Sequence, residues 1–260
     1  MKIEAKEVSK RYGKDLVLDK VSFVLEKGTC LALMGESGSG KSTMARLIAG
    51  LEKYDEGEIL CDEVPYHKMD AAQEKKRKLN IQLVFQNALG AVNPNFSVYD
   101  VLIEPLIIGR STLSKEAKRE KAREMLELVG LEKIDLDQKA RRLSGGQLQR
   151  VCIGRALMLE PEVLVLDESL SGLDPLVQRQ MLKLLGDLKA KFDLTYIFIA
   201  HDFAACYYLC DKMIIMDQGR VIEELDDMDD LVIKSPTTKR LMGDAAHHLR
   251  YREEFETADA

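Results

Sequence analysis

The sequence predicts an α/β protein, a largely parallel sheet flanked by helices and interrupted by one helical insert. Three observations carry this. The dense apolar run "TCLALMG" passes through a glycine-rich turn into the helical stretch "KSTMARLIAG", and strand, glycine turn, helix is how a parallel layout begins. The runs "NIQLVFQ", "EVLVLDE" and "LTYIFIAHD" are continuously apolar, as strands buried on both faces are. Between the first two of these runs, the spacing of apolar residues turns helical.

Taken in order, "KIEAKEV" and "LVLDKVSFVLE" alternate with period two and read as short strands. Gly50 ends the first helix. "DEGEILCDEVP" reads as a hairpin strand, and "NIQLVFQ" as a buried strand ending at Gln86. The stretch that follows, "NALGAVNPNFSVYDVLIEPL", combines turn residues with apolar residues that read as exposed. From Ser114 to about Val129 the apolar positions Ala122, Met125, Leu126 and Val129 keep helical spacing, and Gly130 stops the helix. Another helix starts at Ser144, where Ser followed three residues later by Gln147 makes a capping box. After the "EVLVLDE" strand comes an amphipathic helix at 176–191, then "LTYIFIAHD", then a hairpin around Asp217, Gln218 and Gly219. The expected organisation is one domain: a first core part at 1–87, a helical insert at 88–159, a second core part at 160–225, and a tail at 226–260 that ends frayed.

The 260 residues, 46% hydrophobic and 32% charged, suffice for one large α/β domain with an insert. A net charge of -6 speaks against a partner that presents a phosphate backbone, so no nucleic acid is expected. No apolar stretch approaches the roughly 18 residues needed to cross a bilayer. "MKIEAKEVSKRYG" has early acidic residues and no apolar core, so no signal peptide is expected. The expectation is a soluble cytosolic protein; if it works at a membrane, other chains supply the spanning helices. Five scattered cysteines suggest reduced thiols. Cys206 and Cys210 lie four apart with His201 nearby, which allows a metal site, although buried core thiols are the commoner outcome.

Residues 35–43, "GESGSGKST", satisfy the phosphate-loop pattern between a strand and a helix. The glycines let backbone N–H groups turn inward around phosphates, and the helix dipole adds positive potential. Lys41 can reach the β- and γ-phosphates, and Ser42 can offer a hydroxyl to Mg2+. Asp167 ends an all-apolar strand, where ligands of such sheets collect; it suits a Mg2+ carboxylate, and Glu168 beside it suits the general base that polarises water. His201 and Gln86 are polar strand ends on the same side, each open to a site role or none. Tyr12 is open between stacking on adenine and plain packing.

Ser144 is followed by Gly145 and Gly146, although a cap needs no glycine and each costs a helix about 0.5–1 kcal/mol relative to Ala. Two in succession point to something approaching the bare backbone at the positive end of a helix. One ATP does not need two glycine cradles from one subunit. The economical reading is therefore that Ser144, Gly145 and Gly146 contact ATP held by another subunit.

The order Tyr12, "GESGSGKST", Gln86, "LSGGQ", "VLVLDE", "SGLD", His201 resembles the ATP-binding subunit of ABC transporters over nearly the whole chain. That resemblance implies a P-loop NTPase (RecA-like) core with an antiparallel β subdomain and a helical insert, binding ATP and Mg2+. It implies an A-loop at Tyr12, a Q-loop at Gln86, a D-loop from Ser171 to Asp174 and a γ-phosphate-sensing His201. Catalysis is expected of Glu168 and His201. Nucleotide contacts are expected from Tyr12, Gly35, Ser37, Gly38, Ser39, Gly40, Lys41, Ser42, Thr43, Gln86, Ser144, Gly145, Gly146, Gln147 and Asp174, and Mg2+ contacts from Ser42, Gln86 and Asp167. Ser169 and Leu170 stand where many members have Pro-Thr, without removing a catalytic group.

"FQNALGAVNPNFSV", "IEPL" and "SPTTKRLM" look like the peptide and nickel importer group. The lack of a cysteine-clustered C-terminal extension leans toward nickel or a metal chelate, with dipeptide or oligopeptide import as the alternative. The implied partners are two transmembrane permeases, a second, homologous ATP-binding subunit in a heterodimer, and indirectly an extracytoplasmic binding protein. The implied place is the cytoplasmic face of the membrane. Soluble ABC-type ATPases of DNA repair or translation bring a long coiled coil or two such domains, and a P-loop kinase lacks the "LSGGQ" signature; neither rival suits this chain.

Overall fold

The computed structural model describes residues 1–109, 111–228 and 230–243. Two sheets organise it. The first is antiparallel, in the order β2-β1-β4-β5, built from β1 (Ile3–Tyr12), β2 (Asp15–Leu25), β4 (Glu56–Cys61) and β5 (Val64–Pro65). The second has six strands in the order β10-β9-β3-β8-β7-β6: β3 (Cys30–Gly35), β6 (Ile81–Val84), β7 (Val163–Asp167), β8 (Thr195–Ile199), β9 (Lys212–Asp217) and β10 (Arg220–Leu225). All neighbours in it are parallel except the β9–β10 hairpin.

The continuous apolar runs are explained by what lies on each face. Leu31, Leu33, Val163, Val165, Ile197 and Ile199 point into a core shared with the antiparallel sheet and α1 (Lys41–Ala49). Their alternates Ala32, Met34, Leu164, Leu166, Tyr196 and Phe198 point into a second core. That core is closed by α3 (Val98–Ile108), α4 (Lys115–Leu128), α5 (Gly145–Leu157), α6 (Pro175–Phe192) and α7 (Phe203–Leu209). With neither face wetted, no polar alternation is needed.

Ser114 caps α4 by accepting from the Ala117 N–H, and Gly50 ends α1 in a left-handed conformation. The Ser144–Gln147 capping box forms, with Ser144 N to Gln147 Oε1 at 2.9 Å and Gln147 N to Ser144 Oγ at 3.3 Å. Two local expectations need correction, and one helix was not expected. The β6 ladder stops at Val84, paired with Leu166, so Phe85 and Gln86 lie beyond the strand and are exposed. The stretch after Gln86 is turn-rich only to about residue 97; Ser97 and Asp100 then form a capping box, and α3 buries Val98, Val101, Leu102, Ile103 and Leu106. A further helix, α2 (Ala71–Asn80), lies in a stretch whose charge hides any apolar stripe, and it starts with an Asp70–Gln73 capping box. In the tail, α8 (Pro236–Met242) buries Thr238 and Met242, and the remainder from 244 on lies outside the described residues.

Cys206 and Cys210 are fully buried, with the Cys30 and Cys210 sulfurs 3.1 Å apart. Burial pushes the thiols of Cys206 and Cys210 up. No group of three or more metal-ligating side chains exists among the described residues, so the metal reading of this pair gives way to the core reading.

Candidate functional site

Because the strands are parallel, the C-terminal ends of β3, β6, β7 and β8 lie along one edge, and each carries a residue singled out from the sequence. The loop after β3 wraps back to α1. Gly35 and Gly40 must be glycine: both have positive φ, and a Cβ on Gly35 would sit 2.1 Å from the Met216 carbonyl oxygen. Ser37 and Gly38 face solvent, whereas Ser39, Lys41 and Thr43 are buried.

Lys41 is only 4% exposed, and its ammonium donates to the carbonyls of Gly35 at 2.9 Å and Glu36 at 2.8 Å and to Ser39 Oγ at 3.4 Å. Burial lowers its pKa, with Glu168 and Asp167 pulling it back up. A desolvated cation held only by neutral oxygens suits a polyanion, which supplies the charge its partners lack.

Ser42 donates to Asp167 Oδ1 at 2.8 Å. Burial raises the Asp167 pKa, and Glu168 adds to the rise against the Ser42 bond and the charges of Arg46 and Lys41. A hydroxyl and a carboxylate side by side are hard oxygen donors, the set that Mg2+ prefers. Glu168 follows with φ 46°, its N–H bonded to the Ile199 carbonyl at the end of β8. This left-handed turn, uncommon for a non-glycine residue, takes the carboxylate off the strand line. Glu168 Oε1 meets His201 Nε2 at 2.5 Å. Gln86 reaches the same edge through Ser171, with Nε2 to Oγ at 3.2 Å.

The ABC transporter family profile matches residues 18–171 of this chain. The chain belongs to the ABC transporter family. One relative of this ABC ATP-binding domain is the dipeptide transport ATP-binding protein DppF of Escherichia coli K12. It is 44% identical over 207 residues, 80% of this chain but only 62% of DppF, so the chain spans less than two thirds of that relative. The nickel import ATP-binding protein NikE of the same strain is 43% identical over 215 residues, 82% of this chain and 79% of NikE. Among solved structures, a dimeric post-hydrolysis state of the ATP-binding cassette MJ0796 bound to ADP and Pi matches with a TM-score of 0.78. Identity there is 30%, covering 88% of this chain and 100% of that one.

Other expected residues of the ABC domain lie apart from this edge cluster. Asp174 accepts from the Leu176 N–H and caps α6. Ser144 and Gln147 bond each other. Gly145 has nothing near its missing Cβ, but Gly146 has an intrachain neighbour: a Cβ there would lie 2.6 Å from Val177 Cγ1 of α6. The two glycines therefore have different reasons. Gly146 lets α5 approach Val177 of α6, whereas a Cβ on Gly145 would meet nothing within 4 Å.

Tyr12, 40% exposed, donates its hydroxyl to Glu52, which Arg46 also holds through Nε at 2.6 Å. Arg46 and Glu52 were not among the residues expected to matter, whereas Ser171 was expected only as the start of the D-loop. Arg46 and Glu52 enter through bonds to Tyr12, Thr43 and each other, which follow no motif spacing.

Proposed function

We propose that this chain is the ATP-hydrolysing subunit of an ABC importer that energises uptake of nickel or a metal chelate through separate permease subunits. The carrying observation is the Lys41, Ser42, Asp167, Glu168 and His201 cluster along one sheet edge.

Lys41 and the loop N–H groups hold the β- and γ-phosphates of ATP. Ser42, Asp167 and Gln86 are the residues that would hold Mg2+, which when bound neutralises charge developing on the transferred phosphoryl group. Glu168 takes a proton from the attacking water at its carboxylate, and the imidazole of His201 fixes where that carboxylate points. Tyr12 offers a ring face to adenine.

Gly145 and the Ser144 cap face a nucleotide on a second, homologous subunit, so two chains complete two sites, with the segment carrying Ser171 and Asp174 between them. That the solved relative MJ0796 is a dimer supports this arrangement. Phe85, Leu89 and Phe96, exposed just beyond β6, supply an apolar surface for a permease. No described helix is long and apolar enough to cross a membrane, so pairing with membrane chains at their cytoplasmic face fits the reading.

Similarity to NikE over 79% of its length supports nickel. The 44% identity to DppF supports a second reading, dipeptide import. The deciding assay is ATP turnover by the membrane-assembled complex with its binding protein, given Ni2+, metal chelates or short peptides. Stimulation by nickel or a chelate alone supports the first reading, stimulation by peptides alone the second, and turnover indifferent to all of them counts against both.

A further inference from the structure

We infer that Glu52, clamped by Arg46, is a positioning residue that sets Tyr12 for the base of the nucleotide and ties it to the phosphate loop. The inference rests on the ATP-binding reading above. Glu52 lies three residues past the end of α1 and makes no bond to the phosphate-loop backbone or the sheet-edge carboxylates. Its two carboxylate oxygens are divided: Oε2 accepts from the Tyr12 hydroxyl and Oε1 from Arg46 Nε at 2.6 Å.

Arg46 has a second reach, from Nη2 to Thr43 Oγ1 at 3.2 Å. A continuous bonded path thus runs from the ring at the end of β1, through Glu52 and Arg46, to a buried hydroxyl of the phosphate-binding helix. Arg suits the middle position because its planar fork aims separate N–H groups at Glu52 and Thr43 in fixed directions. The Tyr12 bond and Arg46 together hold the Glu52 carboxyl below its usual range, so it is a charged acceptor for the phenol.

The far end of the path is fixed as well. Lys10 lies 5.5 Å from the centroid of the Tyr12 ring and is held by Asp55 at 3.5 Å, while Asp55 also accepts from the Arg11 N–H at 2.6 Å. A tyrosine on a strand end has two free side-chain torsions, and freezing them before the ligand arrives removes an ordering cost from binding. A Tyr12 that served only packing would not need a charged acceptor and a cation at its ring while 40% exposed.

The test measures binding of ATP and of inorganic tripolyphosphate, which has no base, to the full chain by calorimetry. Glu52→Ala is expected to weaken ATP about three- to ten-fold, the range of one ordinary net hydrogen bond, and to leave tripolyphosphate unchanged. In a Tyr12→Ala background the same substitution should have no further effect on ATP. Arg46→Ala, which also releases Thr43, should weaken both ligands. If Glu52→Ala fails to fold, Glu52→Gln is put through the same comparison with a smaller expected rise.

Equal weakening of tripolyphosphate and ATP, an undiminished effect without Tyr12, or unchanged ATP affinity would each overturn the role assigned to Glu52. A wild-type chain that binds neither ligand would instead strike at the ATP-binding reading itself.

Discussion

Replacing the two adjacent glycines of α5 one at a time separates a packing reason from an open-surface reason. A Cβ at Gly146 sits 2.6 Å from Val177 Cγ1, inside the distance at which carbon atoms can rest. Val177 is β-branched, so its χ1 has little freedom to swing the methyl aside within α6, and overpacking of this kind costs about 1–3 kcal/mol. Against it stands the gain of Ala over Gly in a helix, no more than about 0.5–1 kcal/mol. Gly146→Ala should therefore lose roughly 0–2.5 kcal/mol. Gly145→Ala meets nothing within 4 Å and should be neutral or slightly stabilising. Urea unfolding of the two variants should show a gap of about 1–3 kcal/mol, and Val177→Ala added to Gly146→Ala should recover part of it. A Gly146→Ala chain as stable as Gly145→Ala, with no response to Val177→Ala, would refute the contact as the reason for glycine at 146.

Asp167→Asn should stabilise the nucleotide-free chain at neutral pH while removing Mg2+-dependent turnover. The folded pKa of Asp167 is raised by burial, so its ionised form costs stability once pH exceeds the unfolded value of about 3.9. The melting-temperature advantage of Asp167→Asn should accordingly appear as pH rises through and above that value; an advantage confined to acid pH would contradict the sign. Glu168→Gln should lower phosphate release by about 10²–10⁴-fold with ATP still bound, and near-normal turnover would remove the general-base role. Lys41→Ala should abolish measurable ATP binding in calorimetry, and unchanged affinity would sink the phosphate-loop assignment. All five cysteines are buried, and burial pushes Cys61 and Cys152 to about 11. The native chain should therefore react slowly with a disulfide reagent and release its thiols on unfolding; rapid labelling of the folded chain would contradict the core assignment.

The parallel sheet was legible because Val163–Leu166 run apolar up to Asp167, and residues 196–200 run apolar up to His201. Strand-end position then pointed to Asp167, Glu168 and His201, since topology and not local spacing brings them together. What stayed hidden has identifiable causes. Lys75, Lys76, Arg77 and Lys78 drown the periodicity of α2, although its Asp70–Gln73 box was there to read. In α3 the box is closed by Asp100 in place of the usual Glu or Gln, and Pro105 interrupts the helical pattern, so its buried face passed for exposed turns. Gly146 has an intrachain neighbour, but nothing in a sequence says that it is Val177 thirty-one positions on. The Tyr12, Glu52 and Arg46 bonds join residues with no shared motif.

β6 and β7 lie side by side in the sheet, yet all of α3, α4 and α5 separates them along the chain. Closing that long loop on an unfolded chain is slow, although its free-energy cost grows only by about 0.6 kcal/mol per doubling of length. The helices between carry local contacts of their own, α3 on α4 and α5, and Val98, Val101, Ala122 and Leu126 are buried together. Collapse of this block shortens the loop before the strands meet. The insert's own packing thus offsets part of the cost of joining edge strand β6 to the sheet, and the Gln86–Ser171 bond spans that same junction.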